Sequence, residues 1–176
     1  MKRLPLGQVY QLLEPGPVTL LATSRKGHAN VMTMSWHMMV EFEPPLVACV
    51  CSGNNYSFEA LRTTGECVIA LPARKLAAKA VKIGNCSGRD IDKFEAFGLT
   101  PVAASQVQAP LIAECFANLE CKVIDGKMID RYNMFILEVV VAWRDPRQRN
   151  PKTFHHHGYG RFVADGRAFT LKSAKA

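Results

Sequence analysis

The chain has 176 residues, 48% of them hydrophobic, and a formal net charge of +7 from 22 basic and 15 acidic residues. This length predicts one domain with a full hydrophobic core, and no segment reaches the ~20 apolar residues of a transmembrane helix. The amino-terminal stretch MKRLPLGQVYQLLEPG also lacks the apolar run and cleavage site of a secretion signal. We therefore expect a single domain over residues 1–176, located in the cytoplasm, with no membrane association.

The first half of the chain alternates between strand and helix signals. Breakers at residues 15–17 precede the β-branched run VTLLATS, which predicts a strand over residues 18–24. The pattern predicts further strands over 28–37, 46–51 and 66–72. It also predicts one helix from the Asn54-Asn55 cap to a stop at Gly65, and a second over 74–84.

The second half is mainly strand-like. Residues 85–114 are irregular, and residues 117–123 alternate apolar and polar side chains, as in a half-buried strand. The apolar run over 133–143 predicts a strand that is buried on both faces. Asp165-Gly166 is a strong signal for a hairpin turn.

Many strands with two or three short helices predict a mainly β protein built as an antiparallel barrel. A parallel doubly wound sheet requires a helix after nearly every strand, and usually a glycine-rich phosphate loop. The sequence contains neither GxGxxG nor GxxxxGK[ST], so a dinucleotide-binding Rossmann domain and a P-loop are both unsupported.

The six cysteines do not suggest a metal site. Five of them lie in apolar runs, where a free cysteine behaves as a small hydrophobic residue, and no CxxC pair is present. His155, His156 and His157 are consecutive, so an extended chain directs them to opposite sides and they cannot all bind one ion. We interpret the three histidines as a mobile or interface-covering loop and expect no metal site.

One strand has the composition of a wall around a flat heterocycle. A flavin ring requires hydrogen-bonding groups along one edge and apolar cover at the other. Residues 30–37 supply this mixture through Thr33, Met34, Ser35 and Trp36. The same residues also suit a plain core strand in which methionine fills gaps.

Two other segments could bind a phosphate. The stretch SGNNYSFEA, residues 52–60, leads into a helix start, where free amide groups attract anions. Lys93, in GRDIDKFE, could supply a cation for a phosphate or for a reduced flavin, and Arg89 is a weaker candidate. Ordinary helix capping and a solvated lysine are the alternatives.

Four motifs in this order resemble the flavin reductase-like proteins, and most closely the flavoredoxins among them. They are ANVMTMSWHMMVEFEPPLVACVCS, NNYSFEALRTTGECVIALP, DIDKFEAFGLTP and QAPLIAECFANLECKV. The resemblance extends from about Pro17 to the final hairpin. It implies an FMN-binding split β-barrel of the Greek-key type, and a homodimer with one FMN per subunit near the interface.

The resemblance also implies which residues bind FMN. The residues that match the family's flavin site are Asn30, Thr33, Met34, Ser35, Trp36 and His37 at the ring, Cys51, Ser52, Asn55 and Ser57 at the ribityl chain and phosphate, and Lys93, Tyr132 and Phe162 around them. Ser57 stands where threonine is common and keeps the hydroxyl. Tyr132 stands where several relatives carry histidine, and therefore lacks a group that titrates near neutral pH.

The resemblance implies an oxidoreductase that takes electrons from NADH or NADPH and passes them through FMN to an acceptor, without a catalytic protein side chain. A flavoredoxin-like electron carrier, reduced by a protein partner, is the first alternative. A basic barrel that binds nucleic acid is a remote alternative. It would require exposed aromatic residues on a basic groove, whereas the basic residues here are scattered.

Overall fold

The computed structural model describes residues 16–172, so the expectations for the amino-terminal stretch lie outside the described residues. The strands are β1 (Thr19–Arg25), β2 (His28–Met34), β3 (His37–Glu41), β4 (Leu46–Val50), β5 (Glu66–Leu71), β6 (Pro101–Val102), β7 (Leu111–Ile112), β8 (Ala117–Asp125), β9 (Met134–Arg144), β10 (Phe154–His156) and β11 (Phe162–Ala164). The helices are α1 (Tyr56–Thr64), α2 (Ala77–Gly84), α3 (Lys93–Ala96) and α4 (Ile129–Tyr132), with a 3₁₀ turn at Arg74–Leu76.

Seven strands form one antiparallel sheet in the order β2-β1-β5-β8-β9-β4-β3. The consecutive strands β2 and β3 lie at opposite edges of this sheet, yet only Ser35 and Trp36 separate them. The sheet must therefore curl until its two edges approach each other. Val50 N donates a hydrogen bond to Trp36 O at 3.0 Å at this junction. The result is a barrel with an opening between its edges, which confirms the predicted mainly β split barrel.

The predicted single strand over residues 28–37 is wrong for the same reason. The chain leaves one edge of the sheet at Met34 and joins the other edge at His37, and His37 N donates to Ser35 O at 3.2 Å in a tight turn. Two strands replace one because the closure of the barrel passes through this point.

The barrel interior is filled by the chain's own side chains. Leu61 of α1 packs inside with residues such as Leu21, Ile69 and Phe135. A second core lies on the outer face of the sheet, where Ile83 of α2 and Phe154 pack against β1, β2 and β5. Because side chains fill the interior, no room is left there for a ligand, and a ligand must lie outside the barrel.

Helix α1 has the boundaries that the sequence predicts. It begins after Asn55 and ends at Gly65, which adopts φ 67° and donates its N–H to Leu61 O at 3.0 Å. The Asn55 side chain makes no capping hydrogen bond, so the first-turn amides have no side-chain acceptor. The predicted helix over 74–84 is a 3₁₀ turn followed by α2, and the irregular stretch 85–114 holds only α3, β6 and β7 as regular elements.

Strand β8 differs from the half-buried strand that its alternation predicts. Glu120, on the polar face, is fully buried beneath the segment that contains Ser105 and Gln106. Its carboxylate accepts hydrogen bonds from Ser105 N, Ser105 Oγ, Gln106 N and Trp143 Nε1 at 2.6–3.0 Å. Burial raises the pKa of Glu120, but these bonds outweigh burial and the net pKa lies below its usual value.

Strand β9 is not buried on both faces, so that prediction is wrong. Within it only Phe135 and Leu137 are buried, and Trp143 is 45% exposed. Residues 134–135 pair with β4 alone, and residues 136–138 pair with both β4 and β8. The rest of the strand runs beyond the end of β4 and pairs with β8 alone.

The predicted hairpin turn at Asp165-Gly166 is also wrong. β10 and β11 are joined by residues 157–161, where Gly158, Tyr159 and Gly160 all have positive φ. Asp165 instead fastens the open end of this hairpin, because its carboxylate accepts from the Thr153 amide and lies 3.0 Å from His155 Nε2. His155 and His156 belong to β10, so the interpretation of these histidines as a loop is wrong.

All six cysteines are free thiols, and five of them are buried as predicted. Cys67 and Cys121 lie directly opposite each other on β5 and β8 within the barrel core. Cys86 is the half-exposed member. Burial raises the pKa of Cys51 to about 11 and that of Cys115 to about 12, so these thiols remain protonated at neutral pH.

Candidate functional site

A groove runs along the outside of the barrel at edge strand β2. It consists of two adjoining cavities of about 300 and 140 Å³ that share Thr33 and Gly84. The larger cavity lies between β2, α2 and the β10–β11 hairpin, and we call it the hairpin end. The smaller cavity lies between β2, the start of α1 and the loop before α3, and we call it the helix end.

The position of β2 leaves main-chain groups available to the groove. In an antiparallel pair, alternate residues direct their N–H and C=O groups toward the partner strand, and the others direct theirs away from it. β2 pairs only with β1, so half of its amides and carbonyls face outward. The edge strand therefore offers a row of main-chain donors and acceptors.

Asn30 and Ser57 form the polar base of the helix end. Asn30 Nδ2 donates to Ser57 Oγ at 2.8 Å, and both side chains are buried. Because Ser57 Oγ accepts this bond, its own proton remains available to a ligand oxygen. Asn55 and Tyr56 complete this wall at the uncapped start of α1.

Lys93 supplies a buried positive charge at the helix end. Its side chain is only 4% exposed, and Nζ donates to Ile83 O at 2.9 Å. Asp92 fixes its position, since the Asp92 carboxylate caps α3 by accepting from the Phe94 and Glu95 amides. Burial lowers the pKa of Lys93, and the nearby Cys86 opposes this in part. Among residues 16–172 no carboxylate forms an ion pair with Lys93, so the groove has an uncompensated cation.

Gly88 allows close approach at the groove. A Cβ on Gly88 would lie 2.1 Å from Asn30 Oδ1 and 2.8 Å from Tyr56 Cδ1, so no side chain fits there. A Cβ on Gly84 would lie 3.4 Å from Thr33 Cβ, an ordinary van der Waals contact, so that position does not require glycine. Thr33 Oγ1 donates to Ala80 O at 2.6 Å and holds α2 against β2. These contacts set the width of the groove.

Aromatic side chains close the hairpin end. Phe162 lies on β11 and its ring centroid is 5.9 Å from that of Phe154. The His156 ring is 5.0 Å from Phe162 and also lines the cavity, with Ser35 and Thr33 at the β2 side. This end thus combines an apolar cover with one imidazole and two hydroxyls.

The groove gathers seven of the thirteen residues singled out in the sequence. They are Asn30, Thr33, Ser35, Asn55, Ser57, Lys93 and Phe162. The side chains of Met34 and Cys51 pack in the barrel core, so only their main chains could meet a ligand. His37 Nε2 lies 2.8 Å from Pro17 O, and Ser52 Oγ accepts from Asn54 N at 3.3 Å.

Two remaining candidates are exposed and line neither cavity. Trp36 is 54% exposed at the junction of the sheet edges. Tyr132 is 49% exposed on α4, where the Arg131 guanidinium lies 5.1 Å from its ring. A single chain therefore does not bring these two side chains to the groove.

Sequence reasoning missed several groove residues, notably His156, Tyr56, Gly88 and Cys86. Gly88 carries a recognisable signal, since Ser87-Gly88 is a turn sequence that separates α2 from α3. His156 gave no such signal, because only the pairing of β10 with β11 turns its ring toward β2.

Within residues 16–172 no three His, Cys, Asp or Glu side chains are grouped so that they could hold a metal ion. No helix of the described part is long and apolar enough to cross a membrane.

The curled antiparallel sheet, with a polar and cationic groove at its edge, defines a split-barrel protein with an external ligand site. The family model of the flavin reductase like domain matches residues 12–162. The chain therefore belongs to the flavin reductase-like family, as its motifs predict.

Relatives in sequence and structure agree with this assignment. The chain is 31% identical to the uncharacterized protein YddH of Escherichia coli K12, covering 94% of this chain and 95% of the relative. It is 27% identical to an FMN-binding domain of a flavin reductases-like enzyme from Shewanella baltica, with a TM-score of 0.84 and 96% of each chain covered. It is also 27% identical to flavoredoxin of Desulfovibrio vulgaris, with a TM-score of 0.82, covering 100% of this chain and 99% of that one.

Proposed function

We propose that the protein binds FMN in the groove and uses it to carry electrons from NADH or NADPH to an acceptor. Membership of the flavin reductase-like family supports this proposal. The likeness to an FMN-binding protein and to a flavoredoxin, each over nearly the whole chain, supports it further.

The observation that carries the proposal is the buried ammonium of Lys93. A buried cation is costly unless an anion or several acceptors compensate it. Within the described residues its Nζ has one hydrogen-bond acceptor, Ile83 O, and no carboxylate partner. An anionic ligand in the helix end would supply the missing charge, and the FMN phosphate is such an anion.

The groove residues divide naturally along the length of FMN. Ser57, Asn55 and the uncapped amides of α1 suit the phosphate, as helix starts do in general. The outward main-chain groups of β2 near Thr33 and Ser35 suit the polar edge of the ring. Phe162 suits the role of cover over the apolar part.

The predicted site residues whose side chains do not line the groove have other roles in this proposal. Met34 and Cys51 can contribute main-chain contacts, and Ser52 and His37 fix the segments on either side. Trp36 and Tyr132 are exposed in one chain, so a second subunit would have to bring them near a flavin.

When bound, FMN supplies the chemistry of accepting hydride and releasing electrons singly or in pairs. The chain's own residues bind and orient it, and the aromatic hairpin end excludes water. Lys93 favours negative charge near its ammonium, and it would thereby affect the redox potential of the bound flavin. No protein acid or base is required for hydride transfer.

A homodimer belongs to the same proposal. Edge strand β3 and the residues beside it expose five large apolar side chains, 47–87% accessible: Trp36, Met38, Met39, Val40 and Phe42. Exposed apolar patches of this kind mark protein interfaces. A second copy that covered this edge would also provide an outer wall for the groove beside Trp36.

The purified protein tests the proposal directly. We expect a yellow protein that releases FMN on denaturation, and a flavin absorbance that bleaches on addition of NADPH or NADH. A well-folded protein that neither retains nor takes up FMN would overturn the proposal. Salt-sensitive oligonucleotide binding by a colourless protein would favour the nucleic-acid alternative instead.

The electron-carrier alternative is favoured by the likeness to flavoredoxin over the whole chain. It shares the FMN site and differs only in the electron donor. A bound flavin that dithionite bleaches but neither nicotinamide reduces would establish the carrier and exclude the NAD(P)H-dependent enzyme.

A further inference from the structure

A third cavity opens beside the two that form the groove, between the β1–β2 hairpin and helix α1. Its volume is about 560 Å³, and we call it the basic pocket. The side chains that give it its charge and polarity are Thr23, Arg25, Lys26, His28, Glu59 and Arg89. It shares Asn30, Asn55 and Tyr56 with the helix end, so the two cavities are continuous.

The strand register explains why these residues meet. Thr23 lies opposite Asn30, and Arg25 lies opposite His28, in the antiparallel pair of β1 and β2. Residues two apart on a strand share a face, so all four side chains project to the side where α1 packs. Lys26 occupies the β1–β2 turn with φ 52° and lines the same cavity.

The basic pocket has an excess of positive charge. Three permanent cations, Arg25, Lys26 and Arg89, line it, against the single carboxylate of Glu59. The Arg25–Glu59 pair is long, at 3.9 Å, and both side chains are about half exposed, so it neutralises little. The Arg89 guanidinium lies 5.9 Å from the Tyr56 ring, at the junction with the groove.

The base of the pocket contains a polar group that lacks a partner. Thr23 is fully buried, and its Oγ1 makes no hydrogen bond to any of the described residues. Proteins rarely bury a hydroxyl in this way without a use for it. Here the hydroxyl lies in the wall of a cation-lined cavity, where a ligand oxygen could pair with it.

We propose that the basic pocket binds an adenine-nucleotide phosphate, in addition to the phosphate that the groove binds. This proposal rests on the proposed function, because it places the second phosphate next to the FMN site. The phosphate can come from the adenylate half of FAD, extending out of the groove past Tyr56, or from the 2′-phosphate of NADPH as it approaches the flavin. Both sources present the same chemistry to Arg25, Lys26 and Thr23.

Matched variants separate this site from the groove. Arg25→Ala with Lys26→Ala removes two cations of the pocket, whereas Arg74→Ala with Lys75→Ala removes two exposed cations elsewhere and leaves the same net charge. Thr23→Val removes only the hydroxyl and keeps the shape of the side chain. Calorimetric titration with FMN and FAD, and flavin-reduction kinetics with NADH and NADPH, are measured on each variant and on the wild type.

We expect the Arg25/Lys26 variant to bind FAD, or to use NADPH, about three- to thirty-fold more weakly, as expected for two partly exposed charges. In this variant the affinity for FMN and the rate with NADH should equal those of the wild type. The Arg74/Lys75 variant should match the wild type for all four ligands. Thr23→Val should shift the same ligand in the same direction without lowering the melting temperature. A selective loss for FAD identifies the adenylate as the source, and a selective loss for NADPH over NADH identifies the 2′-phosphate.

Unchanged FAD/FMN and NADPH/NADH ratios in the Arg25/Lys26 variant, with normal FMN binding, would overturn the second site alone. Equal losses for all four ligands would also overturn it, since they indicate a general electrostatic effect. A wild-type protein that binds no FMN would overturn the proposed function and the second site together.

Discussion

Asn30 donates a hydrogen bond to Ser57 at 2.8 Å and thereby joins edge strand β2 to the first turn of helix α1. The two residues are 27 positions apart, and both are buried. This bond holds together the two elements that supply the donors of the groove. Its other neighbour is Gly88, which lies so close to Asn30 that a methyl group would have no room.

A methyl group at Gly88 should therefore disable the site. We expect Gly88→Ala to push Asn30 away from Ser57 and to weaken FMN binding at least tenfold, with a loss of about 1–3 kcal/mol in the free energy of unfolding. Gly166→Ala is the matched control, because a Cβ there meets no atom within 4 Å. Calorimetric FMN titration and thermal melts measure both effects. Equal behaviour of the two variants would show that Gly88 does not shape the site.

Replacing Lys93 should separate binding from folding. Lys93→Met keeps the aliphatic stem and removes a buried charge, so the unliganded protein should be as stable as the wild type or more stable. FMN binding should weaken about tenfold or more. If affinity is unchanged in a folded variant, Lys93 does not contact the ligand.

The pH dependence of binding follows from the lowered pKa of Lys93. In the free protein the ammonium loses its proton below the ordinary lysine value of 10.5. An anionic ligand stabilises the charged form, so binding should take up a proton and weaken as the pH rises through the lowered pKa. Titrations across alkaline pH test this, and Lys93→Met should lack the decline.

The lowered pKa of Lys93 also makes the free energy of unfolding of the ligand-free protein depend on pH. Because the folded pKa lies below the unfolded one, the unfolded chain binds more protons between the two values. The contribution of Lys93 to the free energy of unfolding therefore becomes more favourable as the pH rises through that interval. Ligand-free protein should show this and Lys93→Met should not.

Cys86 should be the one reactive thiol of the native protein. It is half-exposed and lines the helix end, whereas the other five thiols are buried. Burial raises the pKa of Cys51 and Cys115, which keeps them from reacting as thiolates. A thiol reagent should modify one cysteine per native chain and six after unfolding, and FMN should slow the first reaction. Equal rates with and without FMN would indicate that the ligand binds elsewhere.

The exposed edge at β3 predicts a dimer that one charge can break. Phe42 is 87% exposed beside this strand, and Phe169 is 83% exposed elsewhere on the chain. We expect Phe42→Asp to yield monomers in sedimentation measurements, while Phe169→Asp remains dimeric. Wild-type protein that sediments as a monomer at all concentrations would remove the dimer from the account.

The sequence predicted local features better than those that depend on closure of the sheet. Gly65 marks the end of α1, and the apolar runs mark most strands, because caps and periodicity act over a few residues. The break at Ser35 and Trp36 was missed, since it arises only where two distant edges meet. Asp165-Gly166 has the composition of a turn, but the Asp165 carboxylate is bound by Thr153, just before β10, and by His155 of β10.

The candidate site, like the fold, was predictable from the sequence only in its local features. Asn30, Ser57 and Lys93 stand in recognisable motifs, and the groove unites them. The environment of Lys93 could not be predicted, because its burial depends on α2 and on the carbonyl of Ile83. Glu120 was mistaken for a solvent-facing residue, because the segment that covers it precedes it in the chain and has no regular structure.

The most direct test of the central claim compares FMN with riboflavin, which lacks the phosphate, by titrating the ligand-free protein and Lys93→Met. The wild type should bind one FMN per chain and prefer it to riboflavin by at least tenfold, and the variant should lose most of that preference. Absence of FMN binding, or equal affinity of the wild type for both flavins, would contradict a groove that holds FMN through its phosphate.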